Sequence, residues 1–146
     1  MSALFTDTVT VYNHYMDPET NQDCWNRTVI KGVQWAHEKV MTTISSGEQI
    51  ATRIESLTFD FQRDYGNKPY VDPVTYRDMD LVERQQYWTL DARDLLDVVV
   101  MGESDKELSE YRLKDLWKVF QYVATVREVS DNRNRPRLKH IKVVGV

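Results

Sequence analysis

The sequence predicts a mainly β domain, a small antiparallel barrel or sandwich with one attached helix and a long central insertion. Three observations carry this. Alternating strand patterns bracket the chain at both ends. A compact apolar run, "LLDVVVMGE" (95–103), closes on Gly102. Only one stretch, around Leu113, Leu116, Trp117 and Phe120, repeats at i, i+3, i+4 and i+7 as one helix face does.

"TVTVYNHY" (8–15) alternates and is rich in β-branched and aromatic residues, so it is read as the first strand. The turn-forming "DPETNQD" (17–23) follows, then "WNRTVIKGVQW". Val29, Val33 and Trp35 share a parity there and are expected to face the core, with Lys31 interrupting that face. Gly32 within the strand marks a bulge or bend. "TRIESLTFDF" (52–61) is a further strand whose apolar parity holds Leu57 and Phe59. "DYGNKPYVDP" is a loop, and "DMDLVERQQYW" (78–88) has room for a short helix.

Ser104 and Glu107 have capping-box spacing, so the helix carrying Leu113 and Leu116 is expected to begin there. "YVATVREV" (122–129) and "LKHIKVVG" (138–145) then form a closing hairpin around the basic turn "SDNRNRPR". The hairpins at either end are most simply buried by closing one antiparallel sheet. Residues 1–146 are read as one domain, with a variable insertion at about 38–88. Within it, "VMTTISSGEQ" is expected to be mobile in the free subunit and to order on assembly, as an arm or a strand added to a neighbour.

Composition narrows the function. The balance of 41% hydrophobic and 29% charged residues is that of a globular chain. The single Cys24 cannot form an internal disulfide. Met1 is followed by "SALFTD", so no signal peptide is expected, and no apolar run approaches a membrane span.

The signatures of chemistry are mostly missing. His37-Glu38 begins like a zinc-protease helix, but Met41 stands where the second ligand belongs. Asp17, Glu19, Asn21 and Asp23 alternate like a calcium loop, but Gln22 replaces the turn glycine, and a polar hairpin loop is the stronger reading. Asp91, Asp94 and Asp97 raise a carboxylate pair, but sequence does not set the gap between them, and a solvated loop edge is the stronger reading. The five glycines form no phosphate-cradling loop. The chain is therefore expected to be no enzyme and to need no cofactor or metal.

Charge is unevenly placed. Residues 72–110 carry eleven acidic side chains against four basic ones, whereas residues 127–146 carry six basic against two acidic. The basic turn, Arg133, Arg135, Arg137, Lys139 and His140, is the candidate docking edge. The net charge of −4 opposes free nucleic-acid binding.

The order "TDTVTVYNHY", "WNRTVIKGVQW", "LLDVVVMGE", helix, "VREVSDNRNRPRLKHIKVVG" resembles small head–tail joining, or head-completion, proteins of tailed phages and prophages, sometimes labelled minor capsid proteins. The likeness covers both ends and the region after Leu95, but not 38–88. It marks Asp97 to Gly102 and Asp131, Asn132, Arg133, Leu138, Lys139, His140 and Gly145 as fold and hairpin positions. It implies a ring of identical copies at the neck of a virion, assembled in the bacterial host cytoplasm. The implied partners are itself, neighbouring portal, adaptor or tail proteins, and passively the packaged DNA, with no membrane. The other reading is a small monomeric β-barrel that binds nucleic acid or another ligand.

Overall fold

In the computed structural model, residues 7–60, 68–93, 97–108, 113–133 and 140–146 are described. Six strands form the fold: β1 (Asp7–Met16), β2 (Asp23–Thr43), β3 (Gln49–Asp60), β4 (Val98–Met101), β5 (Val123–Asp131) and β6 (His140–Gly145). They close an antiparallel barrel in the order β1-β2-β3-β6-β5-β4, with β4 returning to β1. Closure leaves no strand at an open sheet edge around the barrel body.

The β1–β2 turn uses the polar loop as expected from its turn formers. Asp17 Oδ1 accepts the Glu19 N–H at 2.9 Å, and Asn21 takes the left-handed conformation at φ 58°. The bulge at Gly32, at φ 82°, shifts the β1–β2 register between Asp7 and Thr8. It also overturns part of the expected core. Before Gly32 the buried residues are Asn26, Thr28 and Ile30; after it they are Val33 and Trp35. One extra residue swaps the faces, so Val29 is only half-buried and Lys31 stands in solvent without breaking the core.

The interior is filled by Val9, Val11, Ile30, Val33, Leu57, Phe59, Val126, Ile141 and Val143. One end is stoppered by Trp88, fully buried, whose ring lies 5.5 Å from Phe59 and 5.0 Å from Tyr70 between centroids. Its indole N–H donates to the Lys68 carbonyl at 2.9 Å, which satisfies the polar tip that burial would otherwise strand.

Beside the stopper lie two short helices, α1 (Pro73–Arg77) and α2 (Leu81–Arg84). Asp72 caps the first through Thr75 N–H and Asp80 caps the second through Glu83 N–H. The chain breaks between them at Asp78–Asp80, and α2 is the short helix expected within 78–88, confined to four residues.

β4 is buried on both faces. Val99 points into the barrel, while Val98 and Val100 pack outside it with Tyr12, Leu108, Leu116 and Val123. Val98 and Val100 are thus core residues, but of an outer layer. That layer is closed by residues 103–108 and by α3 (Leu116–Val119), which follows a 3-10 turn, Leu113–Asp115.

The helix does not start at Ser104. Ser104 N–H donates to Thr10 Oγ1 at 2.9 Å, and Ser104 Oγ lies 2.6 Å from the Tyr12 hydroxyl. These bonds to β1 hold the segment extended, so the capping-box residues serve tertiary structure instead. Trp117, expected on the buried helix face, is 46% exposed.

The expected insertion at 38–88 is not one separate excursion. It contains β3, which supplies Leu57 and Phe59 to the core, and the stopper Trp88. What projects from the barrel is narrower, and it forms the candidate site.

Candidate docking interface

β2 is 21 residues long, far longer than β1 or β6, which flank the β2–β3 pair. Pairing of β1 with β2 ends at Asp7 opposite Val33, and pairing of β6 with β3 ends at Gly145 opposite Glu55. β2 and β3 nevertheless continue to pair with each other, from Glu38 opposite Ile54 to Thr43 opposite Gln49. Six further residue pairs project about 17–20 Å as a two-stranded arm.

Its turn is built for the purpose. Gly47, at φ 86°, donates its N–H to Ile44 O at 2.9 Å, and Ile44 N–H donates to Glu48 O at 2.9 Å. Every residue from 41 to 53 is exposed, including Met41, Ile44 and Ile50. Among the described residues, both outer edges of the arm lack a strand partner.

The root is rigid. Trp35 Nε1 donates to Glu55 Oε2 at 3.0 Å, and His37 Nδ1 bonds the same oxygen. Arg53 Nε lies 3.4 Å from Glu55 Oε1. The Tyr122 ring packs against His37 at 4.5 Å, with the Arg53 guanidinium 5.8 Å from its centroid. Glu55 is thus a buried anchor with three partners at the point where the arm leaves the barrel.

Strand alternation gives the arm two unlike faces. Lys39 opposite Arg53 and Met41 opposite Ala51 continue the side on which Trp35 and Leu57 face the core. Two cations stand directly across the pair; Arg53 is turned to Glu55, while among the described residues Lys39 is in no salt bridge. This face is poised for an anionic surface.

The expected docking edge is organised differently. Arg133 is turned back on its own strand: Nε and Nη2 donate to Asp131 at 2.9 and 2.8 Å, and the guanidinium sits 4.6 Å over the Tyr70 ring. The pair holds the Asp131 carboxyl below its usual range, chiefly through the Arg133 hydrogen bond. His140 Nε2 lies 3.2 Å from Asn132 Nδ2, and Asn132 N–H donates to His140 O at 2.8 Å, which closes the strand ends. Arg133 and His140 thus brace the base of the turn. Arg135, Arg137 and Lys139 lie outside the described residues.

Two clefts flank the stopper end of the barrel. One, of about 400 Å³, is lined by His14, Tyr76, Arg77, Arg84, Asp91 and Asp97 among others. The Tyr76 hydroxyl is buried there, with no well-formed hydrogen bond to a described residue, and burial pushes its pKa up to about 12. The amide N–H groups of nearby Asn26 already donate to the Arg84 and Tyr87 carbonyls.

Asp97, the residue expected to mark the β4 strand, sits at the base of this cleft. It accepts His14 N–H at 2.8 Å, Asn13 Nδ2 at 2.9 Å and Asp91 N–H at 3.0 Å. Burial nevertheless dominates and raises its pKa to about 7. It stitches β1 to the segment after the stopper. Asp91 is paired with Arg77 at 2.9 Å, and Asp94 lies outside the described residues.

Cys24 is half-buried, its thiol 3.8 Å from Gln22 O. No group of three or more His, Cys, Asp or Glu side chains that could hold a metal ion occurs among the described residues. No helix among them is long and apolar enough to cross a membrane.

Residues 4–146 match the model of a family of unknown function, DUF6751. The chain belongs to that family. No curated protein and no solved structure matches it.

Proposed function

We propose that this chain is a structural virion protein of a tailed phage, a head–tail connector that assembles as a ring between portal and tail. The sequence resemblance motivates the class, and the arm is the observation that carries it. An isolated two-stranded hairpin is marginal in water, and free strand edges invite pairing with other chains. Among the described residues this arm has no strand on either edge; it exposes three large apolar side chains and is anchored at its root by a buried Glu55. Such a device is costly in a monomer and useful in an assembly. Self-association needs no catalytic centre, so the reading makes the protein a non-enzymatic one that needs no cofactor. The barrel end bearing Trp88 is the rigid body that the arm ties to its neighbours.

A monomeric barrel that binds a ligand is the second reading. It is favoured by one observation, the buried Tyr76 hydroxyl, which faces a cleft and has no well-formed hydrogen bond among the described residues.

The deciding experiment is the mass of the purified chain, alone and mixed with any portal protein encoded in the same genome, followed by electron microscopy. Closed rings bound to the portal support the connector. A monomer that ignores the portal overturns it.

A further inference from the structure

We infer that the β2–β3 arm of one copy docks on the α1–α2 shelf of the next copy. The inference rests on the ring reading and names the surface that the arm meets.

The shelf is acidic and apolar. Asp72, Asp78, Asp80 and Glu83 are exposed, and Val74 and Val82 stand 56% and 68% exposed between them. The shelf's own cations are turned away. Arg77 is bonded to Asp91 at 2.9 Å. Arg84 donates to the carbonyls of Tyr76 and Arg77 at 3.1 and 2.7 Å, and packs 5.3 Å from the Tyr15 centroid. None of the four carboxylates is in a salt bridge with a described residue. The arm offers the complement in Lys39, with Met41, Ile44 and Ile50 exposed along its length; Arg53, across from Lys39, is held by Glu55 at the root. Opposite charge selects the encounter and the apolar contacts hold it.

A chain's own arm is carried away from its own shelf, because the two surfaces are joined to opposite ends of β2, so in a ring the occupant is the arm of another copy. The shelf is fastened to β2 at Asn26, whose amide donates to Arg84 O and Tyr87 O. The arm leaves β2 at Glu38, twelve residues further on. That is a strand contour of about 40 Å, and the arm points onward from it. Two unlike patches on one chain generate a head-to-tail contact, which closes into a ring when the rotation allows.

The test is a charge swap read in assembly. Lys39→Glu and Glu83→Lys are made singly and together in the full chain. Incorporation into portal-bound rings is measured by quantitative mass spectrometry. Both positions are exposed, so melting temperatures should match wild type and report folding independently. Each single variant should incorporate about tenfold less, and the double variant should recover most of that loss. Wild type that forms no ring overturns the connector reading together with this inference. Wild-type rings with unaffected single variants overturn the inference alone. Single losses without recovery in the double variant show that the arm meets a different protein, which also overturns it.

Discussion

Asp97→Asn should change the pH dependence of stability more than stability itself. The folded protein holds the Asp97 proton up to about pH 7, because burial penalises the carboxylate. In the unfolded chain the same group releases it near 3.8. Between these values the folded state binds more protons, so this group's stabilising contribution is complete below about pH 4. It is lost as pH rises through about 7. A difference of about three pKa units corresponds to about 4 kcal/mol. The asparagine cannot titrate. It also turns an N–H toward one of the three donors from Asn13, His14 and Asp91, which costs about 1–3 kcal/mol. Urea unfolding of both proteins at pH 4, 5.5, 7 and 8 isolates the term, since the other carboxylates cancel in the difference. Wild type should lead at pH 4, and the gap should close or reverse by pH 8. A gap that stays constant across this range would refute the buried, proton-holding Asp97.

Two further outcomes test the barrel. Trp88→Ala removes the buried stopper and should lower stability by about 3–5 kcal/mol in chemical denaturation; a loss under 1 kcal/mol would mean the barrel end is not closed by this ring. Gly145→Ala places a Cβ 2.8 Å from both Ala124 Cβ and the Thr125 carbonyl oxygen. Because a backbone atom is hit, the change should cost about 1–3 kcal/mol, and an unchanged urea midpoint would contradict the close β5–β6 packing.

Strand alternation made the barrel legible, because a half-buried strand must separate apolar and polar residues at every second position. It failed upstream of Gly32 for a reason the same residue supplies. A bulge was readable there, but its consequence, that the buried parity changes from even to odd, depends on where β1 pairs. The Ser104 capping box failed because Thr10 and Tyr12, distant in sequence, take the Ser104 groups first. The basic turn read as a free cationic edge, yet Arg133 is held by Asp131 two residues away and by Tyr70, which no spacing could foretell.

The arm was half legible. "SSGEQ" marked a turn, and an arm was among the expectations for that stretch. The pairing of residues 38–43 with 49–54 left no trace in hydrophobic pattern, because neither face packs on a core. Lys39 and Arg53 were missed for that reason. Their signal is a register, visible only once the turn at Gly47 fixes which residues stand opposite each other.

The central claim is that the chain is built into a virion neck through its arm. The most direct measurement is cryo-electron microscopy, with quantitative mass spectrometry, of particles purified from the host whose genome carries the gene. The account predicts several copies per particle, arranged as a closed ring between portal and tail with each arm buried against its neighbour. Mature particles that lack the chain would contradict it.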